Sequence, residues 1–456
     1  MNEEKSKVFH NQHILVLGMA KSGFVAAQVL HSLGAKVIVN EKKPREEVPE
    51  AAALEEMGIQ VHCGGHPEEV YAQPFDLVVK NPGIPYDIPP IRWAQEHGIP
   101  IITEVEFASR LTESSIIGIT GSNGKTTTTT LVGEMLAQSG LPVHVAGNIG
   151  TVLTSVAMES QRNDWLVTEL SSFQLEGTSQ FYPHIAALLN IFDAHLDFHK
   201  TKEAYIAAKM KLFQNQTSTD WAIFNGEQEI SYKLAKQVAS QVCFFHTYEE
   251  VEQGAYLKNG KVYFKYAKQV PIPIIEESEI QLKGMHNIAN ILAAICMTLL
   301  AGGKVEAIQQ VLRNFQGVEH RLEYVRTLQD VRYYNDSKAT NVEAAIQAVS
   351  AFDEPLIWIA GGLDRGHSFE GLRPYLQHVR AMVVYGQTAE RFKEFGESAQ
   401  IPTIIQVNDV KAAVTASAKL ANKGDVVLLS PACASWDMYS CFEERGHIFK
   451  EAVHNL

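Results

Sequence analysis

The residues best suited to chemistry are Gly121-Ser122-Asn123-Gly124-Lys125-Thr126, which follow the apolar run 116–120 and precede a helical pattern through Leu131, Met135 and Leu136. Glycines let backbone N–H groups wrap a phosphate with no Cβ in the way, and a helix start adds partial positive charge. In such a cradle Lys125 would lie on the β and γ phosphates and the Thr126 hydroxyl on a magnesium ion. The common form of this motif has its first glycine five positions before the second; here that position holds Ile119, and Gly121 stands three before Gly124. The loop is therefore a shortened variant. The bland alternative is a glycine turn feeding a threonine-rich helix, since Thr127 to Thr130 are weak helix formers.

A catalytic magnesium site needs oxygen ligands beyond the phosphates, usually carboxylates. Glu169 is one candidate, because it falls near the end of the apolar run 165–170. A charge at the carboxyl end of a buried parallel strand is costly unless it is paired or metal-bound. The second candidate region is Asn190-Ile191-Phe192-Asp193-Ala194-His195-Leu196-Asp197, just past another apolar run. Any one of these could be an ordinary loop residue; their repeated placement at strand ends favours a site.

Such residues need a scaffold of alternating strands and helices. The apolar run 13–17 ends at Gly18 and leads into a helical pattern through Val25, Val29 and Leu30; further strands are expected at 36–40, 76–79 and 99–102. The polar stretch 112–115 precedes a second segment with strands at 116–120, 165–170 and 185–191 and an apolar helix over 284–300. The rhythm restarts after Leu322, with strands at 333–335, 356–360, 382–385 and 426–429 and helices over 342–350 and 410–421. Strands alternating with helices imply parallel, doubly wound sheets. The expectation is an α/β chain of three domains, 1–111, 112–318 and 319–456: a Rossmann-like parallel sheet, a central P-loop ATPase domain and a second Rossmann-like domain. The stretch 221–278 does not resolve into strands from its pattern.

Composition bounds the rest. A chain of 456 residues, 46% of them apolar, can bury several cores. No apolar run reaches the roughly 18 residues a membrane span needs, and the polar start MNEEKSKVFHNQ lacks an export signal. Five cysteines with no CxxC pair suit a reducing compartment and offer no zinc site, so a cytoplasmic protein is expected. A net charge of -13 with no long basic block argues against nucleic-acid binding.

The motifs TGSNGKTT, TELSSFQLE, NIFDAHLDFH, AAKMKLF, GMHNIANILAA and VEHRLE, in this order, resemble the Mur ligase family over essentially the whole chain. The resemblance implies an N-terminal domain for a uridine nucleotide, a central ATPase and a C-terminal domain that brings an amino acid. It implies an ATP site of Gly121, Ser122, Asn123, Gly124, Lys125, Thr126, Thr127, Asn287, Asn290, Arg321 and Asp336. Two magnesium ions, or manganese in their place, would be held by Thr126 and Glu169 and by His195. Lys209 matches a lysine that becomes a carbamate and assists the second metal; read without the family, it is a solvated or salt-bridged lysine on an amphipathic helix. Asn148 would lie near the reacting groups.

Two further stretches, Asn335-Asp336-Ser337-Lys338-Ala339-Thr340-Asn341 and Ser430-Pro431-Ala432-Cys433-Ala434-Ser435-Trp436-Asp437, look like those of the members that add D-glutamate to UDP-N-acetylmuramoyl-L-alanine. By that resemblance D-glutamate would meet Lys338, Thr340, Arg365, Ser435 and Phe442, where Arg365 permits a bidentate carboxylate contact. Ser435 and Thr340 could instead be helix caps. The turn Gly18-Met19-Ala20-Lys21-Ser22-Gly23 has dinucleotide-fold spacing, but the Ala20 methyl would crowd a pyrophosphate, which disfavours a nicotinamide enzyme. In the family this turn, with Asn81 and Gly83, holds the uridine diphosphate part; Glu41 and Lys42 would lie near the uracil or ribose. A folylpolyglutamate synthase would lack the uridine domain that residues 1–110 supply, and a nucleotide-gated binding protein would not need a second metal site. A monomer is the family expectation.

Overall fold

The computed structural model describes residues 8–192, 196–282, 284–366 and 368–456, apart from the side chains of Leu196, Asp197 and Glu343. His195 and Asp193, singled out above, lie outside the described residues. The chain forms two compact units, Met1–Phe315 and Gln316–Leu456.

The first unit holds two sheets. One is wholly parallel, in the order Gln60–Cys63, Lys36–Glu41, His13–Leu17, Leu77–Lys80, Ile101–Thr103. Its central strands are continuous apolar runs because helices cover both faces. The order reverses between His13–Leu17 and Leu77–Lys80, and a crevice opens beyond the carboxyl ends of strands at such a point. That is where Gly18 and Asn81 lie.

The second sheet has nine strands among the described residues. Its parallel part runs Val143–Gly147, Trp165–Glu169, Ser115–Thr120, Ile185–Leu188, Trp221–Asn225, Gln241–His246, Gly254–Lys258. Two antiparallel strands, Lys261–Lys265 and Ile272–Glu276, complete it. These occupy the stretch that pattern reading left open. They are hairpin strands with half-exposed faces, and Pro273 confines the last of them to the edge. The apolar helix Met285–Leu300 packs on the helix Lys125–Gln138 and along the sheet, so both helix starts are set by a shared core.

The two sheets are fastened by buried carboxylates on the helix Glu104–Leu111. Glu106 accepts the backbone N–H groups of Ser179, Gln180 and Phe181 at 3.0, 3.1 and 2.9 Å. Glu104 accepts the N–H and hydroxyl of Thr154 at 2.6 and 2.5 Å. Each buried charge is thereby matched by donors, as burial demands.

The second unit holds a six-stranded sheet, again counted among the described residues, in the order Glu323–Leu328, Val331–Asn335, Val426–Leu429, Leu356–Gly361, Val379–Tyr385, Thr403–Gln406. Only Glu323–Leu328 is antiparallel. The five cysteines are all unpaired thiols, and no helix among the described residues is long and apolar enough to cross a membrane.

Candidate active site

Gly121 to Thr126 leave the carboxyl end of Ser115–Thr120, the middle of the parallel stack, and enter the helix Lys125–Gln138. Gly124 has φ 82°, and a Cβ there would stand 2.1 Å from Asn290 Oδ1. Only glycine fits both the backbone angle and that approach. Asn290, 7% exposed, therefore lies directly under the loop and helps to shape it. The loop is also tied to Asn190: Asn123 N–H donates to Asn190 Oδ1 at 2.9 Å, and Ser122 N–H to the Asn190 carbonyl at 3.1 Å. Asn190 was legible only as a member of a polar strand end, without this role.

Three groups meet around the loop. The Lys125 ammonium donates to the carbonyls of Gly121 and Ser122 at 2.8 and 2.9 Å. The Lys209 ammonium donates to the same Gly121 carbonyl at 3.0 Å and to Thr120 Oγ1 at 3.3 Å, and lies 4.7 Å from the Tyr205 ring centroid. Lys209 is 2% exposed, which overturns its reading as a solvated lysine. Burial, reinforced by Lys125, pushes its pKa well down, so a neutral amine becomes accessible. Tyr205 in turn hydrogen-bonds Ser122 Oγ at 2.9 Å.

Glu169 closes the strand Trp165–Glu169 beside the loop and is 2% exposed. Asn148 grips it twice: its Nδ2 donates to Glu169 Oε1 at 3.0 Å, and its backbone N–H to the Glu169 carbonyl at 2.9 Å. Glu169 Oε2 is buried with no hydrogen-bond partner. An orphaned carboxylate oxygen next to a phosphate-type loop, with the Thr126 hydroxyl on the first helical turn, is an all-oxygen donor set that suits magnesium.

The N-terminal turn is built as a second cradle. Gly18 has φ 83°, and a Cβ on Gly23 would lie 2.0 Å from the Gly18 carbonyl oxygen, so both glycines are required. Glu41 Oε2 accepts the Met19 N–H at 2.6 Å and its Oε1 the Lys43 N–H at 3.0 Å, so its carboxylate is spent on shaping the turn. Ser22 Oγ donates to Asn81 Oδ1 at 3.0 Å, joining the turn to Asn81-Pro82-Gly83. Ala20, Lys21, Lys42 and Gly83 are exposed around it, while Met19 is buried. Lys21 Nζ donates to the Gly150 carbonyl, linking this turn to the segment that carries Asn148.

In the second unit Asp336 follows the strand Val331–Asn335 and accepts the Leu322 N–H at 3.1 Å and the Ser430 hydroxyl at 2.9 Å. Burial pushes its pKa up to about 7, against the opposing pull of Ser430, Arg321, the Leu322 N–H and Arg445. Thr340 and Arg365 line one small cleft together with Leu363, Cys433 and Ala434. Arg365 lies over the Trp436 ring at 5.0 Å, and Lys338 over the Phe442 ring at 5.7 Å. Ser435 is 2% exposed on the same loop. Neither Thr340 nor Ser435 caps a helix: Asn341 and Cys441 take those positions, which removes that alternative. Arg445, fully buried, donates to the Ser337 hydroxyl and carbonyl at 3.0 and 2.7 Å and to the Cys433 carbonyl at 3.1 Å. It pins the two ligand-type loops to each other, and nothing in the sequence pattern marked it.

The Mur ligase MurD-like N-terminal domain matches residues 12–103, the Mur ligase middle domain 119–298, and the Mur ligase glutamate ligase domain 320–433. The chain is 53% identical over 452 residues to a UDP-N-acetylmuramoylalanine--D-glutamate ligase of Geobacillus kaustophilus (strain HTA426), covering 99% of each. It is 48% identical over 454 residues to the Bacillus subtilis (strain 168) protein of that name, covering 99% of this chain and 100% of the other. Among solved structures it resembles the MurF ligase of Thermotoga maritima in complex with ADP, at TM-score 0.57 and 17% identity, with 100% of both chains covered. The UDP-N-acetylmuramate-alanine ligase MurC of Thermotoga maritima gives TM-score 0.56 at 19% identity, over 98% of this chain and 100% of that one.

Proposed function

The chain belongs to the Mur ligase family, and from that premise we propose how its residues divide the work of the reaction. It is an ATP-dependent ligase that adds D-glutamate to UDP-N-acetylmuramoyl-L-alanine through an acyl phosphate, in peptidoglycan precursor synthesis. Residues 1–111 take the uridine substrate, 112–318 ATP, and 319–456 the amino acid. Its workplace is the cytoplasm, where ATP is supplied, and it works there as a monomer.

One observation carries the catalytic assignment: Lys125 and Lys209 both donate to the Gly121 carbonyl, and Glu169, held by Asn148, ends the strand that pairs with Ile119 just before the loop. The loop's N–H groups and the helix start bind the triphosphate, with Thr127, Asn287 and Asn290 adding nucleotide contacts. Magnesium, when bound, neutralises charge on the phosphate oxygens. Thr126 and Glu169 would hold one ion; His195 and Lys209 would serve a second. For Lys209 to serve, its ammonium first gives up a proton; the neutral amine then adds to CO₂, forming an N–C bond as a C–O π bond opens and a second proton leaves, so that a cation becomes an oxygen-bearing anion.

The substrate carboxylate attacks the γ-phosphorus and the bond to ADP breaks, while Lys125 offsets the charge gathering on the phosphoryl oxygens. Lys338, Thr340, Arg365, Ser435 and Phe442 hold D-glutamate, whose two carboxylates call for cations and hydroxyls. Its amine attacks the acyl carbon, phosphate leaves, and the nitrogen loses a proton. The Gly18–Ser22 turn, with Lys42, Asn81 and Gly83, grips the uridine diphosphate part, and Glu41 holds the turn in shape.

The test is to supply ATP and UDP-N-acetylmuramoyl-L-alanine without an amino acid and trap with hydroxylamine. A substrate hydroxamate is expected, absent in a folded Lys125→Ala variant. No hydroxamate, or the same yield from that variant, would refute the phosphate-loop assignment.

A further inference from the structure

Lys80 ends the strand Leu77–Lys80 and is 1% exposed, a cation in the interior of the first unit. Its ammonium donates to the carbonyls of Asn81 at 3.3 Å and Pro82 at 3.1 Å, and lies 4.6 Å from the centroid of the Tyr86 ring. Burial pushes its pKa down to about 8, with Glu176 opposing the fall, so the amine keeps its proton at neutral pH. Burial, with Glu176 again acting, also raises Tyr86 to about 12, which leaves the ring a neutral partner. An interior charge is expensive, and an apolar side chain of the same length would fill the space at lower cost.

What the charge does is specific. Asn81-Pro82-Gly83 is a short, tight segment in which Pro82 has no N–H to give. The Asn81 N–H is bonded to the Leu17 carbonyl at 2.9 Å, and the Asn81 side chain to Ser22. The Asn81 carbonyl takes the Ile84 N–H at 3.0 Å, and Lys80 adds a charged donor to that carbonyl and to the Pro82 carbonyl beside it. Glu176, whose charge favours the protonated Lys80 and whose carboxylate lies 3.8 Å from Lys211, comes from the helix Ser172–Glu176, which begins three residues after Glu169 and is fixed by a Ser171–Gln174 capping box. Lys211 also holds that helix end, through the Glu176 carbonyl.

We propose that Lys80 is a positioning residue for the uridine substrate: by clamping two consecutive carbonyls from inside, it sets the Asn81-Pro82-Gly83 loop in the shape that receives the uridine diphosphate part. This rests on reading that loop as the uridine site. Lys80 touches no substrate itself, and its effect is on substrate binding rather than on phosphoryl transfer.

The experiment compares full-length wild type, Lys80→Met, Lys80→Arg and Asn81→Ala in steady-state kinetics with each substrate varied in turn. Lys80→Met is expected to raise KM for UDP-N-acetylmuramoyl-L-alanine about tenfold or more, with kcat and the KM values for ATP and D-glutamate within about twofold of wild type. Lys80→Arg, which keeps the charge, should fall between. If Lys80→Met does not fold, Lys80→Arg carries the test, and the same selective rise supports the proposal. A uridine-substrate KM within about twofold of wild type, or an equal loss for all three substrates, overturns it. Asn81→Ala separates the two layers: if it raises that KM while Lys80→Met does not, the loop assignment stands and the role of Lys80 falls. If neither variant moves it, the loop assignment falls as well.

Discussion

Replacing Asp336 by Asn should make the second unit more stable and the enzyme less active, and the stability gain should depend on pH. Asp336 is 5% exposed, with one oxygen on the Leu322 N–H and the other on the Ser430 hydroxyl. Its pKa is pushed from the ordinary 3.8 up to about 7, chiefly by burial. At about 1.4 kcal/mol per unit, ionising it in the folded state costs up to about 4 kcal/mol. The sign follows from the direction of the shift. The folded protein binds this proton more tightly than the unfolded chain, so stability declines as pH rises from about 4 through about 7, and the full cost is present above that. Asparagine is neutral throughout and keeps an oxygen for one of the two donors. Allowing half the ceiling for the altered hydrogen bond gives about 2 kcal/mol at pH 8.5, or about 6 °C in Tm for a unit of this size. Calorimetry on the full chain at pH 8.5 and pH 5 measures it, with amide exchange on Val331–Asn335 and Val426–Leu429 locating the effect. The gain should nearly vanish at pH 5, where the folded carboxyl is protonated, the unfolded one is ionised, and the remaining linkage cost of about 1.6 kcal/mol is offset by the same hydrogen-bond allowance. Turnover should drop by about tenfold or more under the role that the family resemblance implies for Asp336. An equal gain at both pH values, or a loss of stability at pH 8.5, would refute the reasoning.

Gly124→Ala should cost at least about 1 kcal/mol through its left-handed φ alone, and the 2.1 Å approach to Asn290 Oδ1 forces the loop to move; ATP affinity by titration calorimetry should fall more than tenfold, and unchanged affinity would count against the loop geometry. Asn148→Ala frees Glu169 Oε1 from its 3.0 Å partner, so the magnesium concentration for half-maximal activity should rise about tenfold; an unmoved magnesium curve would separate Glu169 from the metal. Lys209→Ala should be inactive and recover partly with formate, acetate or propionate, which supply the missing carboxylate; failure of every acid to rescue would remove the carbamate from the account.

The parts of the fold that were legible in the sequence are those buried on both faces. Runs such as Ile185–Leu188 and Val426–Leu429 have no polar face to confuse the pattern, and both are wholly buried. The hairpin strands Lys261–Lys265 and Ile272–Glu276 were not, because alternating exposure and Pro273 give them the composition of a loop. The phosphate-type loop was readable because glycine spacing and a lysine encode its shape locally. The settings of Lys209 and Arg445 were not, because a buried cation looks like a surface cation until the tertiary structure supplies carbonyls for it. For Lys209 those come from Gly121, 88 positions away, and for Arg445 from Ser337, 108 away. Asn190 belongs with them: its amide meets Asn123 at a separation of 67 residues.

The central claim is that ATP in the first unit's glycine loop drives one particular amide bond. It is tested most directly by following ADP formation with UDP-N-acetylmuramoyl-L-alanine present and the amino acid varied among D-glutamate, L-glutamate, L-alanine and lysine. Sustained ADP release with D-glutamate alone, matched one to one by ligated product, is the predicted result. ADP release that needs no uridine substrate, or turnover with another of these amino acids in place of D-glutamate, would contradict it.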